Sequence, residues 1–144
     1  MKLVLDKDEL TNCFFEECRL LGIMAPIKDY LFCWHLNNVL GMDFRVNNEI
    51  EIQLKRKKRD YFFSVYEFQE PATSLAHYVY NNHFDGEYLL PEFKHLDFLW
   101  LLKGDLAEDK LLQGIVNSIR EINAVQLVVE LTPEKIKNKE HLVF

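Results

Sequence analysis

Ile50, Ile52 and Leu54 alternate with Glu49, Glu51 and Gln53, the period-two pattern of a strand with one buried face. A second apolar run covers residues 61–68. The basic stretch 55–59 lies between the two runs and reads as the tip of a hairpin. Further strands are expected at 74–80, 87–90, 95–102 and 125–131. In the run 95–102, Leu96, Phe98, Trp100 and Leu102 fall on one side, and Leu99 and Leu101 on the other. Such a strand is predicted to be central and covered on both faces. Segment 11–24 is ambiguous in period, and a strand is expected over about 14–22. Residues 1–5 read as a short strand or a loosely tied terminus.

Two segments carry helical spacing. The first is 25–40, with Pro26 at its first position and Gly41 just beyond its end. Ile27, Leu31 and Trp34 form one apolar stripe on it, and Phe32, Leu36, Val39 and Leu40 form another. A helix apolar on two stripes is expected to be covered on two sides, by the sheet and by another element. Lys28, His35 and Asn38 occupy the remaining face. The second helix is expected over about 106–121, opened by a capping box of Asp105 and Glu108. Its stripe is Leu111, Leu112, Ile115, Val116, Ile119 and Ile122, and Gly114 in its middle predicts close packing on a neighbour. Thr132-Pro133 opens a short last helix. The apolar tail Leu142, Val143 and Phe144 is expected to dock on the core or on a second subunit.

The order of elements predicts one α+β domain over residues 1–144. A twisted, mainly antiparallel sheet of about five to seven strands carries two main helices and a short C-terminal helix. The helices are expected on one face of the sheet or against its open end.

Composition narrows the function classes. Apolar residues make up 49% of the 144, which predicts a packed core rather than disorder. A net charge of -6 argues against binding a phosphate backbone, so the basic tip 55–59 reads as a solvated turn rather than a nucleic-acid contact. Acids at positions 6, 8 and 9 interrupt any leader-like run, and no apolar stretch approaches the ~20 residues that cross a bilayer. Cys13, Cys18 and Cys33 are an odd number of cysteines, read as free thiols in a reducing, cytoplasmic setting.

Candidate chemistry is sparse. The cysteines lack paired metal-site spacing, so no metal and no cofactor is expected. None of Ser64, Ser74 and Ser118 sits in a nucleophile elbow, and no two glycines build a phosphate-binding loop. Asp97, within an apolar strand, needs a partner, for which His95, His35, Lys28 or a helix N-terminus are candidates.

Lys28-Asp29-Tyr30, followed by Trp34, Leu36 and Asn37, resembles the early helix of the IPExxxDY family, small bacterial proteins found mainly in the Bacteroidetes. The family signature aligns with Leu90-Pro91-Glu92 and Asp97-Phe98, where Leu stands for Ile and Phe for Tyr. Four residues, rather than the family's three, separate Glu92 from Asp97. Asn81 also resembles a family position, and the likeness runs from about residue 14 to the end of the chain. The resemblance implies a bacterial source and no activity, ligand or cofactor.

The residues to watch are therefore Asp29, Trp34, His35, Asn37, Asn81, Glu92 and Asp97. The leading expectation is a protein-interaction module acting on another protein or, as a homodimer, on itself, with no membrane association. It rests on the 13% aromatic content, the apolar tail and the lack of a catalytic constellation. The alternative is a small-molecule-binding protein or enzyme, with Asp29, Trp34, His35, Asn37, Glu92 and Asp97 lining a pocket between the first helix and the sheet.

Overall fold

The computed structural model describes residues 7–50, 52–105 and 107–144, with side chains from Leu10 onward. The expectation for residues 1–5 lies outside the described residues. The chain folds around a six-stranded, wholly antiparallel sheet. In spatial order its strands are β10 (Leu127–Glu130), β1 (Cys18–Met24), β9 (Phe98–Lys103), β6 (Ala76–Asn81), β5 (Val65–Gln69) and β2 (Arg45–Val46). Two-stranded hairpins β3 (Ile52–Arg56) with β4 (Arg59–Phe63) and β7 (His83–Phe84) with β8 (Glu87–Tyr88) stand beside it. The α+β class and the antiparallel sheet are as the sequence predicts, but successive strands are not simply neighbours: β3–β4 and β7–β8 form sheets of their own, and β1 lies between β9 and β10.

The pleat divides the core into two layers. Leu21, Ile23, Val79, Phe98, Trp100 and Leu102 face one side, against α2 (Asp29–Leu40) and α3 (Asp109–Ile119). Leu20, Tyr78, Tyr80, Leu99 and Leu101 face the other, under the β3–β4 hairpin and the C-terminal turns. Both long helices thus lie on one face, and β9 is central and buried on both.

Several boundaries move, each for a local reason. The strand expected at 14–22 begins only at Cys18, because α1 (Lys7–Phe14) ends at Phe14 and the chain reverses through Glu17 at φ 54. The first main helix starts at Asp29 rather than residue 25, so Pro26 is not its first residue. The Ala25 N–H is held by the Asp97 carboxylate at 2.8 Å, and Lys28 is extended, so residues 25–28 bridge the end of the sheet. Gly41 closes α2 in the left-handed region at φ 68, as its position predicts.

The run 61–68 is two strands with one alternation. Tyr61, Phe63 and Val65 all point into the same core layer, but β4 pairs with β3, whereas β5 joins the main sheet. Periodicity sees the shared face and misses the change of partner. The basic run does make the hairpin turn, with Lys57 and Lys58 both at positive φ (50 and 63).

The 95–102 strand starts at Phe98, and the short 3-10 turn Pro91–Phe93 precedes it. Leu96 therefore packs with Leu99 and Leu101, opposite Phe98, rather than beside it. The expected capping box is absent: α3 begins at Asp109, Glu108 makes no side-chain cap, and Asp105 instead accepts the Ser74 hydroxyl at 3.1 Å. Gly114 is exposed, and a methyl group added to its Cα would meet no described atom within 4 Å beyond its chain neighbours and its own helix backbone, so it does not mark close packing on a neighbouring element among the described residues. The last helix is two 3-10 turns, Pro133–Lys135 and Lys139–Leu142. The tail docks on the core: Leu142 is fully buried, Tyr80 donates to its carbonyl at 2.8 Å, and Phe144 lies edge-on to Phe14 and Tyr78.

Candidate functional site

Asp29, Asn81 and Asp97 meet at one cleft of about 680 Å³ between the start of α2 and the end of the sheet. Asp29 comes from the first turn of α2, Asn81 from the last position of β6, and Asp97 from the residue before β9. The register explains the meeting, since Asn81 pairs with Phe98 and so stands beside the chain that carries Asp97. Lys28, His83, Phe84 and Asp85 complete the polar and aromatic wall.

Each carboxylate already has structural work. The Asp97 Oδ2 accepts the Ala25 N–H, so its partner is a backbone amide of the chain entering α2 and none of the side chains expected. The Tyr66 hydroxyl donates to Asp29 Oδ2 at 3.2 Å; burial first, and then the Asp29 charge, push that hydroxyl far above its ordinary range. Asp85 pairs with Arg59 of the hairpin tip. Asn81 Oδ1 accepts the His83 N–H at 3.3 Å.

The other four predicted residues lie elsewhere. Asn37 clamps the backbone of one residue, taking the Phe44 N–H at 2.7 Å and donating to the Phe44 carbonyl at 3.2 Å. Glu92 accepts the Lys137 and Asn138 N–H groups at 2.8 and 2.9 Å, tying the Pro91–Phe93 turn to the C-terminal segment. Trp34 stands on the outer face of α2 with 57% of its surface exposed, and His35 lies edge-on to it.

Two buried polar residues carry as much structure as any of these. Asn82 is fully buried and makes three side-chain bonds, to the Leu90 N–H and the Phe93 and Leu96 carbonyls. His77 is fully buried between Glu70 and Trp100. Strand parity places His77 on the same face as Val79, so its burial is legible in the sequence. Asn82 follows Asn81 in what reads as a simple turn, and no local signal separates the two.

The cysteines are free thiols. Burial raises Cys33 far above its ordinary range, helped by the Asp29 charge. Burial also raises Cys18, and Lys103 nearby only partly opposes it. Both are protonated and weakly nucleophilic near neutrality. Among the described residues, no group of three or more His, Cys, Asp or Glu side chains is placed to hold a metal ion. No helix among them is long and apolar enough to cross a membrane.

A second surface lies on the helical layer. Tyr30, Leu31, Trp34 and Val39 are all exposed along α2. Val39 and Leu40 then lead into a groove of about 640 Å³ between α2 and α3, walled by Leu111 and Ile115, with Gly114 and Ser118 on its α3 side. Comparison with family models, curated proteins and solved structures gives no match to this chain.

Proposed function

We propose that this chain is a protein-interaction module that pairs with a second copy of itself through the outer face of α2. One observation carries the reading: α2 buries one apolar side against the sheet and leaves large apolar side chains exposed on the other. Phe32, Cys33 and Leu36 are buried against the sheet, while Tyr30 and Trp34 keep 66% and 57% of their surface exposed. Each such ring gains about 2 kcal/mol when buried, so a partner that covers the stripe is strongly favoured.

Charge points to a second copy as that partner. The exposed stripe is centred near Trp34, with Lys28 before the helix and Asp43 beyond its end. Two such helices laid antiparallel about a two-fold axis bring apolar faces together. They also set each Lys28 against the negative end of the opposite helix. The exposed backbone at Gly114 leaves room at the groove for the approaching chain.

Sedimentation velocity from ~1 to ~100 µM tests this, with an expected dissociation constant on the order of micromolar. The wild type is expected to dimerise, and Trp34→Glu to stay monomeric, with the two melting temperatures equal at dilutions where the wild type is also monomeric. A wild type that is monomeric at the highest concentration would sink the reading.

The convergence of Asp29, Asn81 and Asp97 on one cleft favours a second reading, a site for a small organic amine. A thermal-shift screen of small amines is expected to raise the melting temperature of the wild type and not of Asp29→Asn. A flat screen removes this reading.

Kinship with the IPExxxDY family is part of the same proposal, as is a reducing, cytoplasmic setting for the free thiols. Glu92 and Asp97 align with the two acids of that signature, and both bind backbone N–H groups. Their geometry supports reading the signature as structural rather than catalytic.

A further inference from the structure

His77 sits on the helix-facing side of β6, ringed by Phe44, Phe68 and Trp100 at centroid distances of 6.1, 5.7 and 5.7 Å. The Trp100 Nε1–H donates to its Nδ1 at 3.1 Å. An indole nitrogen can only donate, so Nδ1 carries no proton. The proton is on Nε2, which donates to Glu70 Oε1 at 3.1 Å. Hydrogen-bond chemistry alone thus fixes the tautomer. A second proton can go only to Nδ1, where it would set one N–H against another.

The ring also supports the end of α2. Phe44 stands edge-on to Trp100, with ring centroids 5.3 Å apart, and its backbone N–H and carbonyl are both held by Asn37 of α2. Among the described charged groups around the pocket, Glu70, just after β5, is the one bonded to the ring. Arg45, next to Phe44, pairs with Asp43 in solvent. Arg19, two strands away across Leu102, is held by Glu130 and Asp109. Lys103 and Glu67 belong to the opposite face of the sheet, by the register of their strands.

We propose that Glu70, His77 and Trp100 form an acid-sensitive latch: proton uptake at His77 Nδ1 breaks the Trp100 bond and frees Phe44, and with it the C-terminal end of α2. This goes beyond the pairing of α2 faces and stands without it. Burial lowers the pKa of His77, and Glu70 only partly offsets this. Above the unfolded value of about 6.5 both states are neutral, and His77 adds no pH dependence. Below it the unfolded chain takes a proton that the latch refuses. Stability therefore falls with falling pH, by up to about tenfold in the folding constant per pH unit, until the folded pKa is reached and the latch opens.

The experiment is NMR of the full chain from about pH 7.5 to about pH 4.5, following the His77 ring nitrogens and the Trp100 indole proton. Trp34→Phe assigns the indole signal, since the chain has two tryptophans. The expected result is the Nε2–H tautomer at neutral pH, then a one-proton transition below about 6.5 that moves both signals together. His77→Gln, which retains an acceptor and a donor, is expected to abolish the movement at Trp100. An Nδ1–H tautomer, an indole signal that ignores the His77 titration, or an unchanged transition in His77→Gln would each overturn the proposal. Should His77→Gln fail to fold, the tautomer and the paired titration in the wild type decide alone.

Discussion

Asn82→Leu is expected to destabilise this protein by about 2–5 kcal/mol, a large share of the ~5–15 kcal/mol that holds a typical domain together. The substitution fits by volume and adds apolar surface, so the loss comes entirely from hydrogen bonds. Asn82 Oδ1 takes the Leu90 N–H at 2.8 Å, and Nδ2 donates to the Leu96 carbonyl at 2.8 Å and the Phe93 carbonyl at 3.0 Å. Phe93 keeps the Leu96 N–H as a partner after the change. The Leu90 amide and the Leu96 carbonyl are left buried without their side-chain partner. Asn82 also binds the segment through its own backbone, to Asp97 and Leu89, so the loop should loosen rather than detach. Urea unfolding with an unchanged slope measures the loss. A change below about 1 kcal/mol would show that Asn82 does not hold residues 89–96 in place.

The next largest effect is expected at Gly22. It lies mid-strand in β1, opposite Leu99 on β9 and Val129 on β10. A Cβ there would run into Leu96 Cδ1 and stand 3.2 Å from Leu131 Cδ1. Leu96 is fully buried and Leu131 nearly so, so neither side chain can swing into solvent. Gly22→Ala should therefore cost about 1–3 kcal/mol by overpacking, despite the better strand propensity of alanine. A double-mutant cycle with Leu96→Ala separates the causes. The pair is expected to be less damaging than the sum of the single changes, because the second substitution removes the obstructing methyl. Strict additivity would place the cost in the backbone instead.

Both sites show where the sequence is readable and where it is not. Gly22 looks like an element boundary when read along the chain, because glycine commonly ends helices and strands. It is needed because Leu96, 74 positions away, crosses the sheet face above it. Asn82 looks like a turn residue, and it does follow a strand, but its side chain is the hub of a buried loop. Asp97 stands out in the sequence because an acid in an apolar strand needs a partner. That requirement holds, while the partner itself, the Ala25 amide, is 72 residues away.

Local pattern alone determined much of this protein. Alternation set the faces of Ile52 and Leu54, of Tyr61 and Phe63, and of Leu99 and Leu101. Helical spacing placed Leu112, Ile115 and Ile119 on the sheet, and Gly41 stopped α2 where its left-handed conformation was needed. These features follow from the fixed periods of strand and helix, which need no knowledge of the rest of the chain. The tertiary structure decided which strands pair, why one apolar run serves two sheets at Ser64, and which polar residues meet. It brought Asp29, Asn81 and Asp97 to one cleft and sent Glu92 and Asn37 to separate clamps. It also left Leu31 and Trp34, on the other apolar stripe of α2, exposed among the described residues. Choosing a partner is a contest among distant segments for the same buried surface and the same hydrogen bonds, and a periodic pattern states the need without naming the winner.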